Sequence, residues 1–73
     1  MSPQEILQDA QTRIGRVQIL YHDTDAEFWA LGLAWEAIRL AWYVVEGNLD
    51  LACGEKLPLV KSALSDFERK VTP

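Results

Sequence analysis

The residues of this chain best suited to metal binding stand together just before an apolar segment. His22 is the single histidine, and Asp23, Asp25 and Glu27 follow it within five residues. Imidazole and carboxylate groups are zinc ligands, but the spacing here matches no recognised zinc motif, and two of the acids suit the start of a helix. We therefore expect a polar loop at this position, with no metal and no cofactor.

A second candidate chemistry is nucleophilic catalysis by Cys53, the only cysteine, with His22 as its base. The long helix predicted between them has 22 residues, which separates the two side chains by about 33 Å at 1.5 Å per residue. They would meet only across an antiparallel dimer, and no oxyanion motif accompanies them. We therefore predict that the protein is not an enzyme and that Cys53 is a small buried apolar residue.

The charge distribution disfavours nucleic acid as a direct partner. The net charge is −4 over 73 residues, and residues 22–55 hold seven acids against one base. Phosphate neutralisation requires a basic stripe, which this sequence lacks, so no direct nucleic-acid binding is expected. The lone cysteine excludes an internal disulfide, and residues 1–20 contain no apolar run typical of a secretory signal. We expect a cytoplasmic protein.

The first of three predicted helices covers about residues 3–21. Ser2 and Glu5 fit a capping box, and Pro3 suits the first helical position. Gly15 interrupts the helix and would allow a neighbouring backbone to approach closely. The helix carries one apolar stripe, composed of Ile6, Leu7, Ala10, Ile14, Val17 and Tyr21.

The second helix is predicted at about residues 25–46, with Thr24 and Glu27 as its capping box and Gly47 as the left-handed residue that ends it. Residues 47–56 form a connector, for which a short helical turn and an extended segment both fit. The third helix is predicted at about residues 57–71, with Pro58 in its first turn. Its stripe consists of Leu57, Val60, Leu64, Phe67 and Val71. The predicted fold is one all-α domain of residues 1–73 with three antiparallel helices.

The second helix is far more apolar than a surface helix requires. Fifteen of the eighteen positions from 28 to 45 are apolar, and all three tryptophans lie among them. At 100° per residue the apolar arc covers roughly 240°, whereas a surface helix needs little more than 100°. Eighteen residues approach the roughly 20 that span a bilayer. However, Glu36 and Arg39 interrupt the segment and its flanks are acidic, so no membrane is expected.

Because two flanking helices cover only part of this arc, we predict a small non-enzymatic protein–protein interaction module that forms a helical homodimer or larger assembly. Trp29 fits both a core and a recognition role. The predicted interface residues are Trp29, Ala30, Leu33, Ala34, Ala37, Leu40, Ala41 and Val44. A larger protein with a basic surface is a further partner, for which the chain would be an accessory subunit or an inhibitor of a protein or nucleoprotein machine. The acidic residues that would dock on it are Asp23, Asp25, Glu27, Glu46 and Asp50.

Two alternatives remain open at this level. In the first, the helices form a bundle that binds an apolar or aromatic small molecule, although no convergent polar groups specify a ligand. Its pocket would be lined by Tyr21, Trp35, Trp42 and Phe67. In the second, the protein is a small transcription regulator, whose recognition helix would need exposed basic side chains that the third helix supplies only thinly.

Overall fold

The computed structural model describes residues 1–72 and confirms the all-α prediction, with three helices and no strand in that range. Helix α1 runs over Pro3–Gln18 and helix α2 over Ala26–Val45. Helix α3 covers residues 49–71 in three consecutive segments. These are the α-helical turn Leu49–Leu51, the π-helical segment Ala52–Lys56 and the α-helix Leu57–Val71.

The start of α1 follows its predicted signals, whereas its end comes earlier. Ser2 has extended backbone, its hydroxyl accepts a hydrogen bond from the N–H of Glu5 at 3.2 Å, and Pro3 occupies the first turn. The helix ends at Gln18 rather than at Tyr21, because the N–H groups of Leu20 and Tyr21 bond to carbonyls three residues back instead of four. Such tightened bonds are typical of a final helical turn.

The capping box predicted for α2 is wrong. Asp25, not Thr24, is the N-cap residue, and α2 begins at Ala26. The Asp25 carboxylate does not cap the helix by a side-chain hydrogen bond. It accepts the backbone N–H of His22 at 3.0 Å and thereby closes the turn that precedes the helix. Adjacent residues with equal capping propensity compete at such a start, and the local turn decides between them.

The predicted connector at residues 47–56 is mostly helical. Gly47 has a φ of 81°, the left-handed conformation expected where α2 stops. Asn48 then caps the next segment, because its side-chain oxygen accepts the N–H of Leu51 at 3.2 Å. Of the two forms that the sequence allowed for this region, the structure therefore has the helical one.

Pro58, two residues after the π-helical segment, gives a physical reason for it. In a regular α-helix a proline ring clashes with the carbonyl four residues back. The widened turn, in which the N–H of Leu57 bonds to the carbonyl of Ala52, accommodates the proline without ending the helix. Within this segment Ala52 is buried and Cys53 is exposed, so the prediction of a buried Cys53 is wrong.

The three helices form a single layer with α2 in the middle. Helices α1 and α3 both pack against α2, but no Cα atom of α1 lies within 8 Å of one in α3 in the described part of the chain. The layer measures 39 × 25 × 12 Å, so its thickness is close to one helix diameter. Among residues 1–72, Ala52 is the only buried apolar residue, and α2 has no buried residue at all.

Candidate interaction surface

Helix α1 packs against α2 through its glycine and glutamines. A Cβ atom on Gly15 would lie 3.7 Å from Nε1 of Trp35, so this glycine accommodates an indole ring rather than the backbone that the sequence led us to expect. The Nε2 of Gln18 donates to the carbonyl of Phe28 at 3.0 Å. Gln11 is buried, and no hydrogen-bond partner is found for its Nε2.

Only part of the apolar stripe of α1 is turned away from α2, because Leu7, Ala10 and Ile14 are half-buried whereas Ile6 and Val17 are exposed. Gln8 and Thr12 border the same surface depression as Trp42 of α2. At 100° per residue, Ile6 and Val17 lie roughly 120–180° around α1 from these two polar residues. Both apolar side chains are exposed.

Helix α3 packs along the other flank of α2 and also leaves apolar side chains uncovered. Trp29 of α2 borders a depression with Asp66 and Lys70, and the Lys70 ammonium lies 5.1 Å from the centroid of the Trp29 ring. Leu64 and Val71 lie about 150° around α3 from Asp66. Both are exposed. Like α1, helix α3 therefore has an uncovered apolar side, although Leu59, which lies on the side of Asp66, is exposed as well.

Helix α2 shows the same two sides. The guanidinium carbon of Arg39 lies 5.6 Å from the centroid of the Tyr43 ring and 5.8 Å from that of Trp42. Arg39 and Trp42 border the depression of about 220 Å³ that α1 completes with Gln8, Gln11 and Thr12. The alanines lie about 170° around the helix from Arg39 and Tyr43. These alanines are Ala30, Ala34, Ala37 and Ala41.

The layer therefore has one polar and one apolar face. Since α1 and α3 both run antiparallel to α2, the uncovered apolar sides of all three helices point to the face opposite Arg39. This apolar face consists of Ile6, Ala10, Val17, Ala30, Ala34, Ala37, Ala41, Val44, Val45, Leu64 and Val71. Its six large members are each between 42% and 54% exposed. Clustered exposed apolar side chains mark interaction sites, whereas single ones are ordinary.

Five of the eight predicted interface residues lie on this face, namely Ala30, Ala34, Ala37, Ala41 and Val44. Leu33 and Leu40 lie toward the α3 flank and are half-buried, as are Ala30, Ala34 and Ala41. Trp29 makes contacts within its own chain, because its indole N–H donates to the carbonyl of Asp23 and its ring meets that of Phe28 edge-on at 5.4 Å. The role of these residues as an interface stays a prediction.

The sequence alone does not predict that side chains of α1 and α3 belong to the apolar face. Their apolar stripes were assigned to packing on α2, following the usual pattern of amphipathic helices. The glutamines of α1 are the sequence feature that indicates which of its sides packs on α2. Gln4, Gln11 and Gln18 recur every seven residues beside Gly15, and this is the side of α1 that is half-buried or buried.

The acidic residues do not form one surface. Asp23, Asp25 and Glu27 stand at the start of α2, whereas Glu46 and Asp50 follow its end. The 20 residues of α2 separate the two groups by about 30 Å. Docking of these acids on a basic surface stays a prediction.

The structure does not bring the residues around His22 together as a metal site or a catalytic site. Residues 1–72 contain no group of three or more side chains placed to hold a metal ion. His22 precedes α2 and Cys53 follows it, and both are exposed. Nothing in these positions brings the thiol and the imidazole together.

By length and composition alone, α2 is the one described helix that would be able to cross a membrane. It has 20 residues, a mean hydropathy of 1.2 over its most apolar window, and no buried residue in that window. Central helices of water-soluble proteins share the first two properties.

Comparison of the chain with protein-family models, with curated proteins and with solved structures finds no match. Function must therefore be inferred from the molecule itself.

Proposed function

We propose that the protein is a small non-enzymatic interaction module whose apolar face packs on a helical surface of another protein chain. The observation that carries this proposal is the near absence of buried apolar side chains among the described residues. In the described chain only Ala52 is a buried apolar residue, while Ile6, Val44 and Leu64 belong to a set of six large apolar side chains exposed on one face.

The accessible surface supports the same conclusion. A folded monomer of 8.3 kDa is expected to expose about 4,600 Å², and this chain exposes 5037 Å². Stable domains bury apolar surface between two packed layers of secondary structure. This chain supplies one layer, and its single cysteine cannot form the internal disulfide that stabilises many small domains. A partner would supply the second layer.

The centre of the apolar face favours a helical partner. Alanine side chains let the axis of a neighbouring helix approach to the short end of the usual 8–10 Å range. The larger side chains of α1 and α3 stand on either side of this alanine strip and would contact further parts of the same partner. A protein of this kind suits the role of an accessory subunit or of an inhibitor that covers part of a larger protein.

A negative charge placed at the centre of the apolar face tests this proposal. Ala37 is exposed, so we expect Ala37→Glu to preserve the packing within the chain. Gln8→Glu adds the same charge to an exposed position on the polar face and serves as the matched control. Tagged wild type and Gln8→Glu should retain a partner chain in stoichiometric amount in cells, whereas Ala37→Glu should lose it. Equal behaviour of all three proteins as folded monomers without a partner would contradict the proposal.

Nothing in the structure favours the apolar-ligand alternative. Of the aromatic residues proposed to line its pocket, Trp35 lies against α1 and Phe67 belongs to α3. Those two helices do not contact each other. The depression beside Trp42 is lined mainly by polar residues.

A further inference from the structure

We infer that the partner on the apolar face is a second copy of this chain, so that two layers form a six-helix homodimer. This inference rests on the proposed function and names its partner. The apolar face is the interface, and the polar face with Arg39 and Tyr43 stays in solvent.

The dimensions of the face decide what can cover it. The layer is 39 Å long and 25 Å wide, so one face spans roughly 1,000 Å². Each partner in a standard protein interface buries about 800 Å². A single helix is only about 10 Å wide and would leave either Ile6 and Val17 or Leu64 and Val71 uncovered. The partner must be as wide as three helices.

A second copy has the required width and length because its apolar face has the same dimensions. A two-fold interface is self-complementary, so the same surface closes on itself and leaves no further apolar face to propagate. Two copies together also reach about 150 residues, the size at which a folded chain buries about 68–70% of its surface instead of about 60%. The dimer thus acquires the interior that the single layer lacks.

The charge pattern permits two copies to stack although each has a net charge of −4. The side of α2 from Ala30 to Val44 that belongs to the apolar face holds no charged residue. Glu27 lies on the same side of α2 but precedes Ala30, and Glu46 follows Val44, so both stand at the ends of the strip. Arg13, at the outer border of α1, already pairs with Asp9 at 3.0 Å. Like charges therefore stay at the rim, where water screens them.

Ala37 lies close to the middle of α2 and is its exposed alanine. In a two-fold dimer, residues near the axis face their own counterparts. The Ala37 side chains of the two copies are therefore expected to lie near each other, with the α2 helices in close contact.

Light scattering on the purified full chain at micromolar concentration tests the assembly. We expect the wild type and Gln8→Glu to have twice the 8.3 kDa mass of one chain. Ala37→Glu should dissociate, with a dissociation constant raised at least 100-fold, because two carboxylates would be buried without partners. A monomeric wild type overturns the inference, and so does an Ala37→Glu dimer as tight as the wild type.

Cross-linking keeps the inference testable if Ala37→Glu fails to fold. In a Cys53→Ser background, Ala37→Cys should give a disulfide-linked dimer under mild oxidation at low protein concentration. Gln8→Cys in the same background has an exposed thiol on the polar face and should stay largely monomeric. Linkage through both positions alike, or through neither, contradicts an interface centred on Ala37.

The outcomes separate this inference from the proposed function. If the wild type is a monomer that retains a different chain and Ala37→Glu loses that chain, the second copy is wrong and the interaction module stands. If the wild type is a monomer and no partner depends on Ala37, both are wrong. Recovery of the wild type only from membranes with detergent also overturns both, since lipid would then cover the face.

Discussion

The indole of Trp35 lies against Gly15, with its Nε1 at 3.7 Å and its Cδ1 at 3.8 Å from the position of a Cβ atom on the glycine. These are ordinary van der Waals distances, so alanine fits at position 15. Since glycine within a helix is about 1 kcal/mol less favourable than alanine, Gly15→Ala should raise the free energy of unfolding by up to about 1 kcal/mol. Urea unfolding followed by circular dichroism measures the change.

A larger side chain at the same position should reverse the sign. Gly15→Val would push the indole of Trp35 away from α1 and should lower the free energy of unfolding by about 1–3 kcal/mol. If Gly15→Ala is also destabilising, the indole lies closer to α1 than the structure places it.

Gly32 and Gln18 are coupled. A Cβ atom on Gly32 would lie 3.0 Å from Nε2 of Gln18, which donates to the carbonyl of Phe28. Gly32→Ala should gain about 1 kcal/mol of helix propensity and lose a hydrogen bond of similar value, for a net effect near zero. In a Gln18→Ala background the same change should stabilise by about 1 kcal/mol. A double-mutant cycle in urea checks this, and additive effects would show that the two side chains are independent.

Gly47 is the position where the backbone itself demands glycine. Its φ of 81° lies in the left-handed region, where a side chain costs about 1–2 kcal/mol. Gly47→Ala should therefore lower the free energy of unfolding by about that amount. Gly54→Ala is the matched control, because nothing lies within 4 Å of its Cβ position and its φ is not positive. In thermal unfolding the control should have a higher melting temperature than Gly47→Ala. The reverse order would contradict a left-handed Gly47 at the end of α2.

Trp29 should contribute to stability rather than to recognition. Trp29→Phe removes the indole N–H that donates to the carbonyl of Asp23, and we expect a loss of about 1 kcal/mol. Trp29→Ala also removes the ring contacts with Phe28 and Lys70 and should cost about 2 kcal/mol. Both variants should keep the association state of the wild type. A Trp29→Ala variant that keeps its stability and loses its partner would place Trp29 in the interface instead.

Local signals were enough to predict the helices. Ser2, Pro3 and Gly47 act through their own backbone and nearest neighbours, and each has the predicted role in the structure. The competition between Thr24 and Asp25 was decided wrongly, because both residues can cap and only the turn back to His22 distinguishes them. The π-helical segment was not predicted either. Pro58 argued against a regular helix there, and a widened turn is too rare to be inferred from one proline.

The side of α1 that packs on α2 was beyond the reach of periodicity. An apolar stripe predicts which side of a helix leaves water, but not whether its own chain or another chain covers it. In α1 the half-buried side carries Gln11 and Gln18 besides Leu7 and Ile14, whereas the apolar side chain of Ile6 remains uncovered. The same ambiguity explains why the predicted interface was centred on α2 alone.

A layer one helix thick also has a consequence for the exchange of amide hydrogens with water. With almost no side chain fully buried, the helical hydrogen bonds are the main protection of these amides in an isolated chain, and each opens as its helix frays. Exchange from α2 should therefore be nearly as fast as exchange from α1 and α3. When a partner covers the apolar face, the amides around Ala37 should slow the most, so that hydrogen exchange would map the proposed second layer residue by residue.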